Sequence, residues 1–137
     1  MIALDTAALV RYLVADHAEQ SEAVRNVAES LTAENPAYVC REVLVELVRV
    51  LERSYGFSRD QIERTLLEMH VTDEIVLEEA RDVLWSATHY HTGAADFSDL
   101  MIIAACLRAD APLYTFDPRV AARFDGVEVI PVREGEE

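Results

Sequence analysis

Four acidic residues stand where a carboxylate is placed to do chemistry: Asp5, Glu46, Asp99 and Asp117. Asp5 ends the apolar run Ile2-Ala-Leu4 and precedes Thr6 at a predicted helix start. Asp117, in Thr115-Phe116-Asp117-Pro118-Arg119, follows an apolar run and precedes a proline suited to open a helix. Asp96 and Asp99 lie three apart ahead of a wholly apolar stretch, Leu100 to Leu107. Glu46 interrupts Val43-Leu44-Val45-Glu46-Leu47-Val48 at the margin of an apolar stripe. Each acid alone has an ordinary alternative. Asp5 and Asp117 suit N-caps, and one acid in a first turn satisfies the helix dipole. Glu46 can pair with Arg49, an exposed contact of roughly a few tenths of a kcal/mol. Gathered at one place, however, such carboxylates repel, and without a cation some take up protons. Hard divalent ions prefer oxygen ligands and retain waters while meeting phosphate oxygens. A site of that kind activates water for in-line attack on phosphorus and stabilises the leaving oxygen. Phosphodiester hydrolysis is the natural chemistry of such a set.

The elements that would gather these residues alternate along the chain. Strands are predicted at Ile2–Leu4, Ala37–Cys40, Pro112–Thr115 and Val127–Pro131, with a further short one around His70–Thr72. Helices are predicted at Thr6–Val14, Ser21–Leu31, Arg41–Tyr55 and Arg59–Met69, the last capped by Ser58. A long helix is expected from about Glu74 to His91, ended by Gly93, and another opens at Ser98 or Asp96 and runs through Ala109. Strands too apolar to be half-exposed, separated by helices, indicate a parallel sheet covered on both faces. Ligands of such folds sit beyond the carboxyl ends of the strands, and both Asp5 and Asp117 fall there.

The chain has 137 residues, half of them hydrophobic, and only four glycines and four prolines. No linker-like run or repeat divides it, so one domain over 1–132 and an acidic tail over 133–137 are expected. No apolar stretch reaches membrane-spanning length, and the start lacks the basic region and apolar core of a signal peptide. A cytoplasmic protein is therefore expected. Cys40 and Cys106 have no ligand-spaced partner and read as small buried apolar residues. His89-x-His91 offers zinc two nitrogens, but two histidines near a helix end more often face solvent. Twenty-six acids oppose twelve bases, giving a net charge of −14, and every base is arginine. That charge repels a polyanion beyond the screening length. RNA as a substrate then requires arginines near the site and a divalent ion on the carboxylates; a basic partner segment suits the same surface.

The motifs resemble those of a family. Ile2-Ala-Leu-Asp5-Thr6-x-x-Leu-Val-Arg11-Tyr12-Leu13 is similar to the first motif of PIN-domain nucleases, and more narrowly of the VapC toxins of VapBC toxin–antitoxin pairs. Glu42-Val-Leu-Val-Glu46-Leu-Val-Arg-Val-Leu51 resembles the second. Ala95-Asp96-Phe97-Ser98-Asp99-Leu-Met-Ile-Ile-Ala-Ala105 resembles the third, and Leu113-Tyr-Thr115-Phe116-Asp117 the fourth. The resemblance implies a three-layer α/β/α sandwich with a mostly parallel sheet of about five strands. It implies a magnesium- or manganese-dependent endoribonuclease toxin, restrained by a VapB-like antitoxin, as a homodimer or a toxin–antitoxin hetero-oligomer. Asp5, Asp99, Glu46 and Asp117 become the metal-holding and catalytic acids, with Asp96, Thr6 and Thr115 in support. Arg11 and Arg119 are weaker candidates for substrate phosphate, with a structural ion pair the competing role for each. One departure is Ala7, where many relatives carry a small polar residue.

Other acidic magnesium pockets fit less well. Receiver domains and haloacid dehalogenase-type phosphatases use a lysine, which this chain lacks, and the latter also place an aspartate where Ala7 stands. The alternative that competes is a catalytically weak or inactive module that keeps the fold, the metal and the antitoxin.

Overall fold

A computed structural model describes residues 1–133; of the predicted acidic tail, residues 134–137 lie outside the described region. The elements run β1 (Ile2–Ala3), α1 (Thr6–Leu13), α2 (Ala18–Glu29), β2 (Ala37–Val39), α3 (Arg41–Tyr55) and α4 (Arg59–Val71). β3 (Ile75–Leu77), α5 (Ala80–His91), α6 (Phe97–Arg108), β4 (Leu113–Thr115), α7 (Pro118–Arg123) and β5 (Val127–Val129) follow. This is the α/β fold of parallel strands and helices that the alternation predicts, and every strand pairing among the described residues is parallel.

The five strands form two hydrogen-bonded groups, β1-β2-β3 and β4-β5, rather than one continuous ladder. Ala37 and Tyr38 of β2 stand opposite Ile2 and Ala3 on one side, and Ala37 to Val39 stand opposite Ile75 to Leu77 on the other. Ala37 and Val39 are fully buried, whereas Ile2, Val76 and Tyr114 are exposed. Burial on both faces is thus a property of the middle of the sheet. Among the described residues, no helix is long and apolar enough to cross a membrane.

The largest correction concerns residues 70–80. No strand forms around His70–Thr72; α4 runs on to Val71 and stops at Thr72. The helix expected from Glu74 starts only at Ala80, because Ile75-Val76-Leu77 is β3. Two β-branched residues favour that strand, and the backbone of β2 secures it: Ala37 N donates to Glu74 O at 2.8 Å, and Glu78 N to Val39 O at 3.0 Å. The turn into α5 then passes through Glu79 in the left-handed region, φ 50°. A non-glycine residue there is uncommon, so no local signal announced the break.

Helix α3 follows its apolar stripe as predicted, burying Leu44, Leu47, Val48 and Leu51 and ending at Gly56 with φ 66°. The core extends from Leu9 and Val10 of α1 through these residues to Leu100, Met101 and Ile103 of α6 and Val127 of β5. Among the described residues one buried carboxylate lies within it. Asp82 of α5, with its side chain 6% exposed, receives Arg41 Nη1 from the start of α3 at 2.6 Å and Arg108 Nη2 from the end of α6 at 3.0 Å. Arg41 Nη2 also donates to Met101 O at 2.8 Å. Burial alone would raise the Asp82 pKa, but the hydrogen bonds from Arg108 and Arg41 outweigh it and hold the carboxyl below its ordinary value.

Removing one partner of a buried ion pair leaves the others unpaired. Asp82→Asn is therefore expected to lower the unfolding free energy by about 3 kcal/mol, read by urea denaturation at neutral pH. Because the folded pKa is depressed, the stabilisation is complete above the ordinary 3.8 and is lost as pH falls through the lower folded value. The variant should accordingly show a shallower acid limb; identical limbs would mean that the pairing contributes nothing.

Candidate metal and nucleic-acid site

Helix α6 brings the first acids together. Asp96 occupies its N-cap but makes no side-chain capping bond, so its carboxylate is spent elsewhere. Arg59 Nη2 of α4 lies 3.7 Å from Asp96 Oδ1. Asp99, one turn on, faces a cavity of about 500 Å³ that is also lined by Asp96 and Asp117. Three arginines, Arg59, Arg119 and Arg123, line the same cavity. A smaller cavity on the other flank of Asp99 and Asp117 is mostly apolar, with Ile102, Tyr114 and Val120 in its wall.

The acids differ in their electrostatics. A carboxylate in a helix's first turn is ordinarily favoured by the dipole. Asp99 nevertheless has a raised pKa, first from desolvation and then from the charges of Asp96 and Asp117. Asp117 is held below its usual range, chiefly by the backbone N–H of Arg119 and then by the Arg119 side chain. Its Oδ1 accepts from Arg119 N at 2.9 Å, while its own N donates to Thr115 Oγ1 at 3.1 Å. Thr115 thus helps fix the backbone that carries Asp117. Asp117 caps α7, so capping and cavity lining coexist in one residue.

The remaining predicted residues sit apart from this cavity's lining. Asp5 caps α1 through Oδ1, which accepts from Ala8 N at 2.9 Å, and Thr6 is the first residue of that helix. Glu46 is exposed on α3, 3.9 Å from Arg49. Its neighbours Val45 and Arg49 line a third cavity that ends at Asp96, Phe97 and Ser98. Arg11 is engaged at the α1–α2 junction, donating to Gln20 at 2.8 Å and pairing with Asp16 at 3.3 Å. Tyr55 joins that network by donating to Asp16 at 2.6 Å. Arg119 alone of the two phosphate candidates reaches the acids.

Sequence reasoning missed Arg59. Its guanidinium lies 4.2 Å from the centroid of the buried Tyr90 ring, and Nη1 donates to Tyr90 O at 2.7 Å and Ala95 O at 3.0 Å. These bonds pin the turn between α5 and α6 that precedes Asp96. Tyr90 is fixed in turn by donating its hydroxyl to Glu52 of α3. Arg59 is the first residue of a capped helix, and nothing in its neighbours along the chain marks it.

Among the described residues, Asp96, Asp99 and Asp117 do not form a group whose ligand atoms lie within 4.8 Å of one another; the groups that do are Cys40 with Glu42 and Glu78, and Asp60 with Glu63 and His91. Both have structural employment. Glu78 accepts from Arg41 N at 3.0 Å, and His91 Nδ1 lies 3.2 Å from Glu63. His89 turns instead to Trp85 and Phe124, so His89-x-His91 does not converge on one ion. Cys40 and Cys106 are free and only partly buried, less enclosed than expected.

The family model of the PIN domain matches residues 2–127. The chain belongs to the PIN domain family. No curated protein and no solved structure matched the chain. A PIN domain is a nuclease-type fold, and PIN domains typically bind a divalent metal. The acids lining the cavity of this PIN domain offer oxygen ligands only, the kind a hard divalent cation prefers, and the charges of Asp96 and Asp117 that act on Asp99 are ones such a cation would offset.

In metal-free PIN domain, carbon NMR titration is expected to find Asp99 above and Asp117 below the ordinary 3.8. A raised carboxyl pKa penalises the fold once the group ionises. The penalty is absent below 3.8, where Asp99 is protonated in both states, and grows as pH rises through its higher folded value. Asp99→Asn should thus raise the melting temperature of metal-free protein at neutral pH, with the gain vanishing in acid. A lower melting temperature would show that the local charges do not strain the fold.

Proposed function

We propose that this PIN domain is a magnesium- or manganese-dependent endoribonuclease toxin of the VapC kind. In this reading it hydrolyses RNA phosphodiester bonds in the cytoplasm and is silenced by a VapB-like antitoxin. The observation that carries it is the cavity shared by Asp96, Asp99 and Asp117 and bordered by Arg59, Arg119 and Arg123. Acids gathered beside guanidinium groups provide for both a cation and a phosphate. A bound divalent ion would supply Lewis acidity and a water activated at neutral pH.

Within that scheme Asp99 and Asp117 hold the ion. Asp5 and Glu46 complete the set on the strength of the motif resemblance. Thr115 steadies Asp117, and Thr6 and Asp96 serve the first and third motifs. Arg119 contacts phosphate. Arg11, whose bonds go to Gln20, Asp16 and Tyr55, orders the α1–α2 junction. Assembly as a homodimer or as a toxin–antitoxin hetero-oligomer belongs to the same reading.

Incubation of the purified chain with cellular RNA tests it. Discrete cleavage products are expected with magnesium or manganese and none with chelator. Asp99→Asn and Asp5→Asn should each lower the rate at least about 100-fold, the scale of a lost electrostatic group in an active site, with the circular dichroism spectrum intact. Failure of folded, antitoxin-free protein to cleave under every metal condition would leave a PIN-fold module that only binds metal and antitoxin.

A further inference from the structure

Resting on the nuclease reading, we propose that the RNA phosphate backbone follows one arginine-lined track. It runs from Arg49 and Arg53 on α3, past Arg59, to Arg119 and Arg123 on α7. Two cavities make up the track. One, of about 250 Å³, is lined by Val45, Arg49, Glu52 and Arg53 and closes on Asp96. The other, of about 500 Å³, begins at Asp96 and holds Arg59, Asp99, Asp117, Arg119 and Arg123. They meet at Asp96.

This placement accounts for a charge that otherwise opposes RNA binding. The chain carries twelve arginines and no lysine against twenty-six acids. Arg41 and Arg108 are committed to Asp82, Arg11 to Asp16, and Arg64 to Asp60. Five others line the track. Arg53 has no ion pair or hydrogen bond among the described residues, and Arg49 has only Glu46 at 3.9 Å. Four carboxylates share the two cavities: Glu52, Asp96, Asp99 and Asp117. Glu52 accepts from the Tyr90 hydroxyl, and Asp96 and Asp117 each face an arginine. A divalent ion on the acids would leave the track locally positive on an otherwise repulsive surface, so that within a screening length the phosphate backbone is held there and not elsewhere.

Arg59 is the fixed point of the track. Held by the Tyr90 ring and two carbonyls, it loses little freedom when phosphate arrives. The planar guanidinium matches phosphate geometry bidentately. The exposed arginines on either side contribute chiefly screened attraction, the kind of contact that salt competes away.

The test is fluorescence anisotropy with a short single-stranded RNA, with calcium replacing magnesium to slow turnover, over 50 to 200 mM salt. Each phosphate contact adds about 0.7 to the slope of log affinity on log salt for a single strand. Arg49→Ala with Arg53→Ala is expected to reduce that slope by about 1.4, and Arg123→Ala by about half as much. Arg25→Ala and Arg81→Ala, outside both cavities, should leave it unchanged. All are exposed positions, and circular dichroism checks folding. An unaltered slope in the α3 double variant overturns the track, even if the protein cleaves RNA. The expected slopes without any metal-dependent cleavage keep the track and sink the nuclease reading instead. Folded protein that binds no RNA overturns the track outright.

Discussion

A single buried carboxylate holds the architecture behind the acidic cavity. Asp82 takes Arg41 from the first turn of α3 and Arg108 from the last turn of α6, and so binds three helices at one point. Replacing such a pair with apolar residues is often neutral for stability, whereas breaking it is costly. Its contribution here is best understood as geometric. Arg41 also reaches Met101 O, within one turn of Asp99, so the azimuth of α6 is set by this contact as well as by Leu100 and Ile103 in the core. A rotation of α6 would carry Asp99 out of the cavity it shares with Asp117.

The second constraint is Arg59. Where Asp82 fixes the body of α6, Arg59 fixes the turn that leads into it, through Tyr90 O and Ala95 O. The order Glu52, Tyr90, Arg59, Asp96 links α3, α5, α4 and the head of α6 through a hydroxyl bond, a cation over a ring and an ion pair. The cation over the ring is worth on the order of 1–2 kcal/mol where partly desolvated, and its orientation matters more than that sum. The result is an acid pair on a rigid helix beside a guanidinium that cannot wander.

Within the cavity, neighbouring aspartates are driven in opposite directions. Asp117 gains a backbone N–H and a guanidinium; Asp99 gains desolvation and two like charges. Groups of one type whose environments push them apart are a common mark of sites adapted for proton or cation chemistry. An acidic surface and an arginine-lined cavity are therefore compatible, because charge acts locally within a screening length of about 8–10 Å.

Much was written in local pattern. The stripe of Val43 to Leu51 gave α3 its full extent, Ser58 capped α4, and the acids flanking apolar runs stood at helix starts, as three- and four-residue spacing and capping chemistry require. The four motifs identified the family, because side-chain order along the chain is all that such a match needs. What local pattern could not supply was anything decided by a partner distant in sequence. Ile75–Leu77 is a strand because β2 lies beside it, and Glu79 turns left-handed to allow it. Arg59, Arg41 and Arg108 look like surface charges until the fold places Tyr90, Asp96 and Asp82 against them. The sequence by itself determined the apolar periods, the helix caps and the family; only the tertiary structure decided which distant side chains meet. The physical reason is range: hydrophobic period and capping act within a turn or two, while hydrogen bonds and ion pairs depend on distances that folding alone creates.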